Sequence, residues 1–269
     1  MRYSEAARQA PPGAARFQPE DLLRLDRWTL CLLLSPGPAA LPPGDVRAAL
    51  PESEFQTLLS RLRPQLQKRL TRAEPAPDAQ EARRRLVAGA FWLLVYGLEP
   101  QLWDALSRAE PVPPELIDAL PAADHVLEVA AGTGRLTSSL VGRSGELVAI
   151  EPSRPLAAVL RRRVPRATVI YGVGQALPVQ SGWAELAVAC ASFGPDAPIG
   201  GEQVVAELER CTARGGTVAL VAPESPGWFE ARGYRRTSFR RDPAPTPPEL
   251  AGFFGPWLQP PAELLTKTM

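Results

Sequence analysis

The chain has 269 residues, with 30 Lys plus Arg against 29 Asp plus Glu, 45% hydrophobic residues, three cysteines and a single histidine. A formal charge of +1 gives no field to draw a polyanion, and the apolar content suffices for a sizeable core, so a chain that is disordered throughout is excluded. One histidine leaves almost no room for a His-based metal centre or a Ser-His-Asp triad, and Cys31, Cys190 and Cys211 are too far apart for a disulfide framework or a CxxC site.

Residues 1–17 are polar and carry Pro and Gly, which predicts a mobile terminus with no apolar segment of the secretory kind. From Pro19 the pattern turns helical, with Leu22, Leu25, Thr29 and Leu32–Leu33 recurring on one face. SPGPAALPPG breaks it, and a second helix follows in which Leu58, Leu62, Leu66 and Leu70 stand four apart, with Pro64 as a predicted kink. EARRRLVAGAFWLLVYGLEP and QLWDALSRAE continue the helical character up to PVPP at 111–114. These segments predict a helical N-terminal domain over 18–112. Its longest apolar stretch, Leu86 to Leu98, is 13 residues, short of the ~20 of a membrane span.

After Leu120 the period changes. His125–Val129, Glu146–Ile150, Ala167–Tyr171, Leu186–Ala191 and Thr217–Ala222 read as short strands, and Arg135–Val141, Pro155–Val164 and Gly201–Cys211 as intervening helices. Strands alternating with helices predict an α/β fold: a doubly wound, mostly parallel sheet with covered faces, over residues 113–242. WFEARGYRRTSFRR supplies a further helix and a sixth strand. No seventh strand is evident, and 243–269 reads as a Pro-rich C-terminal tail.

The informative segment is HVLEVAAGTGRLTSSL. An apolar strand runs through Glu128 into Ala130, Gly132, Thr133 and Gly134, and a helix opens at once. Glycines at such a turn let the backbone approach a ligand and present helix N–H groups to it. Seventeen residues after Gly134 the second strand ends in Glu151, placed to accept the two hydroxyls of a ribose. The third glycine of a dinucleotide fingerprint is replaced by Thr137, and Glu128 opposes a pyrophosphate, so the pattern suits a nucleoside with a cationic centre instead of a nicotinamide dinucleotide.

At these residues the sequence resembles the class I S-adenosylmethionine-dependent methyltransferases, nearest to the small-molecule group that includes the ubiquinone/menaquinone-biosynthesis enzymes. The resemblance covers about residues 123–240: VLEVAAGTGRLT is similar to the family's first motif, Glu151 to its acidic second-strand end, GVGQALPVQSGWAELAVACAS to its GDAExLPFxDxSFDxV segment, and ELERCTARGGTVALVAPE to its RVLKPGG turn and fifth strand. It implies S-adenosylmethionine as cofactor, with Glu128, Ala130, Gly132, Thr133 and Gly134 around the methionine part and Glu151 on the ribose. Gly174 and Gln175 would then read the base, and Ser192 would lie near the transferred methyl. Val173 stands where the family usually has the Asp that bonds the adenine amino group, Gln175 replaces a Glu, Glu185 stands in the place of the fourth-strand Asp, and Arg214 replaces the Pro of PGG.

The resemblance implies methyl transfer to an O, N or C nucleophile, with a small-molecule acceptor, no metal, no membrane and a cytoplasmic setting. No catalytic residue can be named. ASFGPDAP replaces the (N/D)PP(Y/F) of the branch that methylates base and amide nitrogens. The alternative is a non-catalytic methyltransferase-like binding or assembly protein, favoured by Val173 and the short C-terminal half. Arginine groups at 61–72, 83–85, 161–166 and 235–241 admit an RNA partner if they merge on one face, and the N-terminal helices offer a homodimer contact. His125, Cys190, Cys211, Trp183 and the Phe91, Trp92 and Trp103 group read as packing.

Overall fold

The computed structural model describes residues 96, 100–195, 201–254 and 256–269. The mobile terminus expected at 1–17, most of the expected helical domain, Phe91, Trp92, Cys31, the first two arginine groups and the dimer contact lie outside the described residues.

Numbered within the described part, the elements are α1 (Pro100–Ala109), α2 (Pro114–Asp118), β1 (His125–Val129), α3 (Thr137–Leu140), β2 (Glu146–Glu151), α4 (Arg154–Arg163) and β3 (Thr168–Tyr171). There follow β4 (Ala184–Cys190), α5 (Glu202–Cys211), β5 (Thr212–Val221), α6 (Pro226–Glu230), β6 (Arg235–Ser238), α7 (Pro248–Phe254) and β7 (Glu263–Thr268). They build one seven-stranded sheet of order β3-β2-β1-β4-β5-β7-β6. β1 to β5 are parallel neighbours, with Glu128 opposite Ala149 on β2 and Val188 on β4. β7 runs antiparallel to both β5 and β6.

The near-continuous apolar strands are explained by two cores, one on each face, because successive side chains point to opposite faces. Leu127, Val129, Val148, Ile150, Ala187, Ala189, Val218 and Leu220 face one core, with Val204 and Leu208 of α5 and Phe229 of α6. Val126, Leu147, Ala149, Leu186, Val188, Ala219 and Val221 face the other, with Leu116 of α2, Leu140 of α3 and Leu160 of α4. Val112, on the N-terminal side of the boundary drawn at 112/113, joins this second core, and α1 packs on α4.

Two readings need correction. The segment taken as a Pro-rich tail ends in a seventh strand, β7, whose Leu264 and Leu265 are 2% and 0% exposed and enter opposite cores. Two adjacent leucines followed by Thr-Lys-Thr, with Pro260 and Pro261 just before, carry no alternation that marks a strand. The prolines lie in an excursion over 239–262 closed by a Pro245–Trp257 bridge and by the Leu258 N–H to Ala244 carbonyl bond at 2.9 Å. The C-terminal half therefore supplies a seventh strand to the sheet. The first loop helix is also shorter than expected: turns occupy 132–136 and α3 begins only at Thr137.

The two arginine groups among the described residues do not merge. Arg161–Arg163 close α4 beside edge strand β3, whereas Arg235 and Arg236 lie on the opposite edge strand, β6. Seven strands at ~4.8 Å separate the two edges by about 29 Å. Arg163 pairs with Asp104 at 3.1 Å, Arg236 with Glu263, and Arg240 with Asp242 at 2.8 Å. Charged groups on an exposed edge strand such as β6 also guard it against further pairing. Among the described residues no helix is long and apolar enough to cross a membrane.

Candidate cofactor and active site

The carboxyl ends of the central strands share a backbone feature. β1, β4 and β5 are each followed immediately by an alanine with positive φ: Ala130 at 58°, Ala191 at 45° and Ala222 at 46°. These are the only non-glycine residues in that region among the described residues. Each costs about 1–2 kcal/mol, and such strain concentrates where a backbone must take a set shape for a ligand. The edge that carries them is the one where open parallel sheets bind ligands.

The β1 loop is built on glycine for steric reasons. Gly134 has φ 96°, and a Cβ there would stand 2.7 Å from Leu160 Cδ1 of α4. Gly132 has φ 58°, and its Cβ would meet Trp103 Nε1 at 3.2 Å. The Gly132 N–H donates to Glu151 Oε2 at 2.7 Å, and the Ser153 N–H donates to Glu151 Oε1 at 2.7 Å. One carboxylate thus ties the glycine loop to the end of β2 and retains lone pairs for further donors. Burial lifts the Glu151 carboxyl to about 7, against the pull of those two N–H groups.

Glu128 is 1% exposed, and its Oε2 has no hydrogen-bond partner. Burial lifts it to about 8; nearby Thr137 pulls down and the charge of Glu151 adds to the rise. Thr133 Oγ1 and Gln175 Oε1 are likewise buried and unpartnered. Each such group costs about 1–3 kcal/mol. A Cβ at Gly174 would stand 3.0 Å from Val204 and 3.3 Å from Val129, and the neighbouring Gln175 is buried. Ser192 is half-buried just past Ala191 at the end of β4.

Every site residue read from the sequence therefore lies at or beside this one sheet edge. His125 lies at the opposite edge, stacked on Trp183 at 5.2 Å. Several residues at the site were not foreseen. Arg135 pairs with Glu110 at 2.8 Å, and Glu110 also accepts the Gln259 N–H at 2.5 Å, joining the glycine loop, the end of α1 and the excursion before β7. Glu224 follows β5. Tyr96 lies within electrostatic reach of Glu151, Glu224 and Arg135. Trp103 was read as packing; it does pack, but against the glycine loop. No spacing pattern marks Glu110, Glu224, Tyr96 and Trp103, since each arrives from a distant part of the chain; Arg135 lies in the glycine loop, but its partner Glu110 does not.

Glu128, Glu151 and Glu224 make the edge rich in carboxyls, while the charge of Arg135 is answered by Glu110. That balance favours a ligand with a cationic centre and hydroxyl donors over a pyrophosphate. The Cys190 thiol, pushed up to about 11 by burial, is no nucleophile.

A family profile described as a methyltransferase domain matches residues 126–216, the segment from β1 through the turn into β5. Over that segment the chain is similar to methyltransferase domains. The sheet order, with one antiparallel strand inserted between β5 and β6, is Rossmann-like. Two proteins described as uncharacterized methyltransferases, from Mycobacterium tuberculosis and Mycobacterium bovis, are 32% identical over 126 residues, 45% of this chain and 51% of theirs. The chain thus matches about half the length of these curated relatives. Among solved structures, a SAM-dependent methyltransferase of Thermotoga maritima is similar at a TM-score of 0.46 and 15% identity, over 65% of this chain and 97% of that one.

Proposed function

We propose that this methyltransferase binds S-adenosylmethionine at the carboxyl edge of its sheet and directs the methyl group to an O, N or C nucleophile of a small-molecule acceptor in the cytoplasm. The observation that supports it best is the set of buried, unpartnered oxygens around the glycine loop: Glu128 Oε2, Thr133 Oγ1 and Gln175 Oε1. They form a cradle of acceptors that fits a ligand carrying hydroxyl, amino and cationic groups.

In this reading Glu151 takes the ribose hydroxyls while keeping the Gly132 N–H. Glu128, Ala130, Gly132, Thr133 and Gly134 line the amino-acid end, and Glu128 matches its positive charge. Gly174 and the Gln175 amide read the base where Val173 offers no hydrogen bond, and Ser192 faces the reacting end. S-adenosylmethionine supplies a methyl group already activated by its sulfonium. The chain's own tasks are alignment and the exclusion of water, without a histidine or a reactive cysteine.

The test is titration calorimetry with S-adenosylmethionine and S-adenosylhomocysteine. Binding in the micromolar range is expected, and Glu151→Ala should weaken it at least ~10–100-fold, the worth of one or two charged hydrogen bonds. No binding at millimolar ligand overturns the reading. Tight binding with no turnover on a panel of small O, N and C nucleophiles selects the non-catalytic alternative instead.

A further inference from the structure

Tyr96 and Trp103 reach the site from the helical region that precedes the sheet. The Trp103 indole nitrogen stands 3.2 Å from where a Cβ on Gly132 would be, so the indole lies directly on the glycine loop. Tyr96 meets it edge-on, with centroids 4.8 Å apart and planes at 68°. The Ser153 hydroxyl donates to the Tyr96 carbonyl at 3.2 Å, and the Ser153 N–H holds Glu151. Trp103 thus lies at the Gly132 turn, and Tyr96 stands against it within electrostatic reach of Glu151. Both residues are half-buried, which leaves part of each ring for a ligand to cover.

We infer that Tyr96 and Trp103 are cofactor-contact residues, two aromatic faces that close the cleft over the glycine loop and favour the cationic sulfonium form of the cofactor over its neutral thioether product. The inference rests on the reading of this site as an S-adenosylmethionine cleft. An aromatic face attracts a nearby cation through its quadrupole and gives no such attraction to a neutral thioether. The hydroxyl end of Tyr96 is desolvated and lies near Glu151 and Glu224, whose charges, with burial, push its ionisation far up. Tyr96 thus keeps its proton throughout the working range and adds no negative charge of its own. The rings would also shield the cleft from water, the task the proposed reaction leaves to the protein.

Calorimetry with both ligands on the full chain tests this. Tyr96→Leu and Trp103→Leu should each weaken S-adenosylmethionine more than S-adenosylhomocysteine, lowering the affinity ratio roughly 3- to 30-fold. Tyr96→Phe, which keeps the ring, should leave the ratio unchanged. Trp103→Phe gives a second readout: S-adenosylmethionine should change tryptophan emission in the wild type, and this variant should lose most of that change while still binding. An unaltered ratio in both leucine variants overturns the inference, and so does an equal loss for both ligands. A full emission change in Trp103→Phe overturns it even if the leucine variants fail to fold. If the wild type binds neither ligand, the site reading itself falls, and this inference with it.

Discussion

The two edges of the sheet use the same residue types to opposite ends. At the amino edge, Glu185 accepts the Asp124 N–H at 2.7 Å, the Glu146 N–H bonds the Asp124 carbonyl at 2.6 Å, and His125 stacks on Trp183. At the carboxyl edge, Glu128 is buried without a partner on Oε2, three alanines hold positive φ, and Glu128 and Glu151 resist ionisation. Carboxylates at the first edge close the strand starts; those at the second are buried beside the glycine loop. One edge is settled by its own hydrogen bonds, and the other carries strained backbone and buried oxygens without hydrogen-bond partners.

The sharpest break of that contrast is a methyl group on the loop. Gly134→Ala should cost about 3 kcal/mol, from the left-handed backbone and the clash with Leu160, and should abolish cofactor binding. Gly142→Ala, with nothing within 4 Å of the new Cβ, should stay within about 0.5 kcal/mol. Urea unfolding of the two variants measures the difference.

Next in size is a pH effect. The Glu128 and Glu151 carboxyls sit at about 8 and about 7, above the ordinary 4.5, so the folded state binds more protons than the unfolded state between those values. Stability of the free protein should therefore fall as pH rises through that window and level off above about 8. Glu128→Gln should flatten much of the fall and raise stability near pH 8 by about 2 kcal/mol, while weakening S-adenosylmethionine by ~10-fold or more. Affinity for the cationic ligand should rise from about pH 6 to pH 8, as both carboxyls ionise. Thermal melts and calorimetry across that range check both slopes.

The smallest effect belongs to the other edge. Glu185→Gln removes one exposed charged bond and should cost at most about 1 kcal/mol, with S-adenosylmethionine affinity unchanged. A loss of affinity there would show that the two edges are coupled.

Much of this was legible in the chain. The apolar runs predicted β1 to β5 to within a few residues, because strands covered on both faces must be apolar throughout. The glycine loop and Glu151 were legible because the strand-loop-helix unit is local: about twenty-five residues bring Glu128 and Glu151 to one edge. β7 was missed because its slot depends on two strands far earlier in the sequence, and nothing in Leu264-Leu265-Thr266-Lys267 announces it. Trp103 was legible only as a packing residue, since what it packs on lies 29 positions away, at Gly132.

The sequence by itself determined the parallel α/β sheet, the edge that carries the glycine loop, and the acid-rich character of that loop in a chain with a single histidine. Those follow from hydrophobic period, glycine at a strand-to-helix turn, and composition. Only the tertiary structure decided that a C-terminal strand enters the sheet between β5 and β6, that the arginine groups at 161–166 and 235–241 stand at opposite edges, and that Trp103 comes down onto the glycine loop with Tyr96 beside it. The reason is physical: these depend on contacts between distant segments, whose partners are chosen by the packing of two cores and not by any local pattern.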